Sequence, residues 1–136
     1  MTLRFLVDTN VFSELARPAP DRALVTKLSA AAGSIAMGTP CWHELRFGAD
    51  RLPSSRRKTQ LLRYLDELEE TVPILPYDTA AAAWHARQRA RLETRGRAPA
   101  FVDGQLAAIA HTRGLALVTR NVRGFARFDE LTVERW

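Results

Sequence analysis

Asp8 ends a short apolar run, Phe5, Leu6 and Val7, and is followed by Thr9, Asn10 and then Val11, Phe12 and Leu15 at helical spacing. The pattern places a carboxylate where the end of a buried strand meets the start of a helix. Ligands of open α/β sheets bind at such junctions, so an acid there suits a metal ligand or a catalyst, beside the plainer role of Asp8 or Thr9 as a helix cap. Glu44 falls on the helix expected after the second strand, Asp103 at the start of the helix before the fourth, and Asn121 just beyond that strand in LVTRNVRGF. All four can gather at one end of a sheet. Carboxylates brought together without matching lysines repel one another, and a divalent cation is the usual means of holding them. With oxygen ligands and no cysteine or histidine cluster, magnesium or manganese suits the set better than zinc. The plainer readings are a helix N-cap for Asp103 and a solvated helix position for Glu44.

The elements that must position these groups alternate along the chain. Pro20 and Asp21 open a helix to about Ala32, closed by Gly33, and Ser34 to Met37 reads as a short strand. Thr39 with Pro40 is expected as N-cap and first position of the helix bearing His43, Glu44, Leu45 and Phe47, which ends near Gly48. Ser54 or Ser55 starts another, with Leu61, Leu62, Leu65 and Leu68 as its stripe, and Val72 to Leu75 is a third strand. Asp78 caps an alanine-rich helix to about Thr94, suited to a surface helix at an interface. The segment from Arg95 to Phe101 is a loop, and Val102 to Arg113 returns to helix, stopped by Gly114. Leu115 to Val118 is wholly apolar, the kind of strand buried on both faces of a parallel sheet, and Leu131 to Val133 adds a short edge strand. No repeat or linker interrupts this order. Residues 1–136 are expected to form one α/β domain, a three-layer α/β/α sandwich with a mostly parallel central sheet.

A net charge of +5 rests on twenty basic residues, of which only Lys27 and Lys58 are lysine. Arginine binds phosphate bidentately and stacks on bases, so the balance suits nucleic acid, although a GC-rich genome would produce the same bias. The arginines cluster at Arg51, Arg56 and Arg57, at Arg87 to Arg97, and at Arg113 to Arg127. One cysteine, Cys41, rules out an internal disulfide and reads as a small buried side chain in a reducing compartment. No run reaches the length of a membrane span and no signal core opens the chain, so a cytoplasmic location is expected. His43, His85 and His111 lack the paired spacing of a zinc site and read as structural, and the three tryptophans read as packing residues, with Trp84 or Phe47 also able to stack on RNA or a partner helix.

The motifs LVDTNVFSEL, WHELRFG, FVDGQLAAIA and LVTRNVRGF, in this order and spacing, resemble those of PIN-domain ribonucleases, particularly the VapC and FitB type toxins of bacterial toxin–antitoxin pairs. The resemblance runs essentially end to end. It implies that Asp8, Glu44 and Asp103 are the principal metal-binding acids. Thr119 stands where a serine or threonine accompanies the site, with Thr9 and Asn10 in support, and Asn121 falls where a fourth acid or an asparagine stands. Many relatives carry an acid three residues further on, where this chain has Gly124.

Water activated by one or two magnesium ions at such a cluster would hydrolyse a phosphodiester in line, leaving a 5′-phosphate and a 3′-hydroxyl, without a nucleophilic side chain. Resemblance favours RNA, with tRNA or rRNA loops as targets and Arg46, Arg97, Arg120 and Arg123 as contacts. It also implies a cognate VapB-type antitoxin, a homodimer and, with the antitoxin, a higher assembly. Two rivals are weighed against this. A phosphoacceptor or haloacid-type phosphatase needs an aspartate two residues after the first and a lysine near a later strand; Asn10 and the positions of the two lysines speak against it. A non-cleaving PIN-like module that binds RNA or antitoxin is the alternative that Asn121 and Gly124 keep open.

Overall fold

A computed structural model describes residues 2–136. In chain order its elements are β1 (Phe5–Val7), α1 (Thr9–Leu15), α2 (Arg22–Ala30), β2 (Ile35–Gly38), α3 (Thr39–Asp50), α4 (Arg56–Thr71), β3 (Ile74–Leu75), α5 (Thr79–Thr94), α6 (Phe101–Thr112), β4 (Ala116–Thr119), α7 (Val122–Phe125) and β5 (Val133–Arg135). The strands form a parallel five-stranded sheet in the order β3-β2-β1-β4-β5. The chain steps outward from β1 to β2 and β3, then crosses back to β4 on the other side of β1. Right-handed crossovers in opposite directions lay helices on both faces, which gives the three-layer α/β/α sandwich. The reversal leaves a crevice between the carboxyl ends of β1 and β4, the position where open α/β sheets bind ligands.

Apolar composition explains why β1 and β4 are central. Every residue of β1 is buried, and Leu117, Val118 and Thr119 of β4 are buried beside it in register Leu6↔Leu117, Val7↔Val118. Met37, Phe12, Leu106 and Ile109 complete the core on either face.

Local signals set most boundaries. Asp21, Ser55 and Asp78 cap α2, α4 and α5, each accepting from backbone amides in the first turn. Gly114 adopts positive φ (68°), the left-handed geometry that ends α6, and Gly33 (88°) does so in the turn after α2, which stops earlier than expected at Ala30 with Ala31 as its cap.

Several boundaries differ from expectation. Gly38, not Thr39, is the N-cap of α3, and Thr39 and Pro40 lie inside its first turn. α6 begins at Phe101, one residue into the expected loop. β3 is reduced to two residues because Val72 is spent capping α4. The edge strand lies at Val133–Arg135, because pairing with β4 fixes it in register Leu117↔Val133. The turn after Thr119 contains the short helix α7, closed by its own cap. α5 is no bare surface helix: Ala81, Trp84, His85, Gln88 and Leu92 are buried, packed largely on α6. Trp84 is therefore unavailable for stacking on a ligand.

Candidate active site

The switch between β1 and β4 is occupied by Asp8. It ends β1 with extended backbone, and both carboxylate oxygens are engaged: Oδ1 accepts from the Thr9 amide at 2.7 Å and Oδ2 from the Thr119 hydroxyl at 2.8 Å. Asp8 thus does cap α1, as the plainer reading held, while remaining at the crevice. Thr119, fully buried at the end of β4, also accepts from the Asn121 amide at 3.0 Å, and the Asn10 side-chain amide reaches it at 3.4 Å. Asn10 Oδ1 in turn accepts from the Arg120 amide at 3.2 Å. These bonds tie the β1–α1 junction to the β4–α7 turn and fix the Asp8 carboxylate.

Asp103 comes from the opposite side. It is the third residue of α6, not its N-cap, which is Ala100 with no capping side chain. The helix start is drawn in by close packing: a Cβ at Gly104 would stand 2.1 Å from His85 Nε2, so glycine alone lets α6 approach α5 this closely. His85 is held there by the Tyr77 hydroxyl, 2.8 Å from its Nδ1.

Burial raises the Asp8 carboxyl above its ordinary range despite its two donors. Burial also raises Asp103, and the Asp8 charge adds to that shift, so the two acids feel one another. Glu44 joins from α3 at the rim, with its side chain 45% exposed and Oε1 3.9 Å from His43 Nδ1.

Asp8, Glu44, Asp103 and Asn121 line one open cavity of about 540 Å³. Among the described residues, no three His, Cys, Asp or Glu side chains are drawn together tightly enough to enclose an ion as they stand. The donor chemistry nevertheless fits a hard divalent cation. Two partly desolvated carboxylates with raised pKa and a third at the rim, with no thiolate or histidine cluster beside them, form an oxygen set that such an ion would stabilise.

Other expected residues fall less simply. Asn121 lines the cavity, but its Oδ1 is turned back to the Gly124 amide at 3.4 Å as the cap of α7. A Cβ at Gly124 would stand 2.7 Å from Asn121 Nδ2, so the absent side chain at 124 is what permits this fold-back. Arg120 is not a free contact: its guanidinium pairs with Asp21 at 3.3 Å and Nη1 is buried. Arg46 is shared between Asp50 and Asp66 and lies over Trp42. Arg97 and Arg123 are exposed. His85 is buried and His111 stacks on Trp84, whereas His43 is on the surface, stacked on Phe47. Cys41 is buried, its thiol pushed up to about 12 by desolvation.

Sequence reasoning missed Ser13 and Glu14, which form the α1 wall of the cavity, and Arg17, which lines it just past the end of α1. They follow Asn10 by three, four and seven residues, the spacing of one helix face, which is the signal that would have found them. Glu14 holds Arg17 at 3.2 Å and accepts from the Asp21 amide at 3.3 Å, fixing a cation at the cavity's edge.

The PIN domain family profile matches residues 5–131. A protein named tRNA(fMet)-specific endonuclease VapC, from Shigella flexneri, is 31% identical over 136 residues, covering 98% of each chain. Toxin FitB from Neisseria gonorrhoeae is 32% identical, covering 96% of this chain and 97% of that protein. Among solved structures, DNA-bound VapBC from Salmonella typhimurium aligns with a TM-score of 0.89 at 27% identity, over 99% of both chains.

Proposed function

Because this chain belongs to the PIN-domain family, among relatives of the VapC and FitB type, we propose that it is a divalent-metal-dependent endoribonuclease, the toxin of a VapBC-type toxin–antitoxin pair. The observation that carries the reading is the pairing of Asp8 and Asp103, raised by burial and, in Asp103, by the charge of Asp8, in one open cavity at the sheet's topological switch. Residues 1–136 act as one nuclease domain. The partner is a VapB-type antitoxin, the active form a homodimer, and the location the cytoplasm. The Shigella relative's name makes tRNA the first substrate to try.

Asp8, Asp103 and Glu44 would hold magnesium or manganese, which when bound neutralises phosphoryl oxygens and lowers the pKa of water. The chain's own part is positioning. Thr119 keeps Asp8 in one orientation, Asn10 locks the two loops that flank it, and Arg17 faces the incoming phosphate. Glu44, at the exposed rim, is the acid free to swing with the substrate. Cys41 is inert at neutral pH, and among the described residues the Ser13 hydroxyl makes no hydrogen bond to any of the acids that share its cavity, so water is the nucleophile. Attack by water on phosphorus with cleavage of the P–O3′ bond leaves a 5′-phosphate, releases a protonated 3′-hydroxyl and needs no ribose 2′-hydroxyl.

Purified protein incubated with total tRNA should cut in magnesium and stop in EDTA, with 5′-phosphate ends on the products. Asp8→Asn should abolish the cleavage seen in magnesium.

A further inference from the structure

A second cavity, of about 310 Å³, opens beside the acid-lined one, and the two share Thr9, Ser13 and Glu44 as a common wall. Its floor is apolar, built from Leu45, Ala49, Leu61 and Leu65 where α3 and α4 face α1. The back wall is fixed, because the Tyr64 hydroxyl donates to the Phe12 carbonyl at 3.2 Å and so ties α4 to α1. Two cations stand in its lining. Arg57 is held by the Ala16 carbonyl at 3.2 Å. Arg51 lies over the Phe47 ring, 5.5 Å from its centroid, which gives a role to a phenylalanine left 53% exposed on the surface.

We infer that this side cavity seats one unpaired nucleobase of the RNA strand whose scissile phosphate enters the acid-lined cavity. The inference deepens the nuclease reading and rests on it. An apolar floor suits the π-face of a base, and the arginines of the lining suit the phosphates on either side of it. The shared wall lets one strand occupy both spaces at once. The occupant must be single-stranded, since a base still stacked in a duplex cannot turn into a recess. Charge favours RNA at this face, because Arg51 and Arg57 in the lining complement the phosphates that flank a seated base.

Gly48 supplies the test. It lines the cavity on α3, and a Cβ added there meets nothing within 4 Å, so a side chain at 48 can fill the seat without disturbing the packing. Replacing a mid-helix glycine also favours the helix. The series Gly48→Ala, Gly48→Leu and Gly48→Phe is assayed on a randomised single-stranded RNA pool in magnesium, with melting temperature as the fold control.

The expected result is a KM that climbs with side-chain volume, by about tenfold for Gly48→Phe given the strength of base stacking. kcat should change less than KM, and base preference should flatten at one position beside the cut. Arg51→Ala should lower the salt dependence of binding by about one charge. A Gly48→Phe enzyme with wild-type KM and wild-type base preference overturns the seat and leaves the nuclease reading standing. So does a Gly48→Phe enzyme with unchanged RNA kinetics that escapes its antitoxin, which would assign the cavity to a protein segment. Failure of the wild-type protein itself to cut any RNA would defeat the nuclease reading, and the seat with it.

Discussion

Thr119 donates a 2.8 Å hydrogen bond to Asp8 across the seam where β4 meets β1, and both residues are buried. The bond stabilises the ionised form of a carboxyl that burial pushes the other way. Thr119→Val keeps the shape and removes the donor. Activity at limiting magnesium should fall by about tenfold, the usual cost of losing a group that orients a metal-binding acid, and added magnesium should restore part of it. A magnesium titration of cleavage rate checks this, with urea unfolding to confirm that the fold is retained.

The raised carboxyls make a pH prediction whose sign is fixed. A carboxyl with a folded pKa above its unfolded value keeps its proton longer in the folded chain, so stability falls as pH rises from the ordinary carboxylate value through the raised one. Metal-free protein should therefore lose stability across that window, from the shifts of both Asp8 and Asp103. Asp103→Asn should flatten the slope and raise the melting temperature at neutral pH by about 3 °C for each kcal/mol of relief. Thermal scans of both proteins between pH 4 and pH 7, on the order of the window concerned, read it directly.

Asn121 and Gly124 act as a unit. Asn121→Ala removes the cap of α7 as well as an amide at the cavity, yet takes away no charge, so it should weaken cleavage less than Asp103→Ala. Asn121→Asp should be tolerated and should tighten magnesium binding by about 1 kcal/mol. Calorimetric titration separates these outcomes, and an Asn121→Ala variant as inactive as Asp103→Ala would reverse the assignment.

The α5–α6 contact sets where Asp103 stands. Gly104→Ala drives a methyl into the His85 ring and should destabilise the fold by about 1–3 kcal/mol. His85→Ala in the same chain should recover part of that loss, as a double-mutant cycle by urea unfolding will register.

Much of this arrangement was legible in the sequence because its signals are local. An apolar run ending in Asp8, a wholly apolar β4 and the caps Asp21, Ser55 and Asp78 each announce a boundary within a few residues. The acids themselves were placed by the order of four motifs as well as by their elements. What escaped depends on partners distant in the chain. The register of β5 follows from pairing with β4, and its own residues bury little. α7 is too short for periodicity to mark it. Arg120 reads as a free cation until Asp21 is seen beside it, 99 residues away in sequence. The second role of Asn121, capping α7 through the Gly124 amide, is visible only in the folded turn.

The most direct measurement is magnesium-dependent cleavage of RNA by wild-type, Asp8→Asn and Asp103→Asn proteins, with circular dichroism alongside. The wild type should cut in magnesium, stop in EDTA and leave 5′-phosphate ends, and both variants should be folded but inactive. Undiminished magnesium-dependent cleavage by either variant, or wild-type cleavage that persists in EDTA, would contradict a metal site built on Asp8 and Asp103.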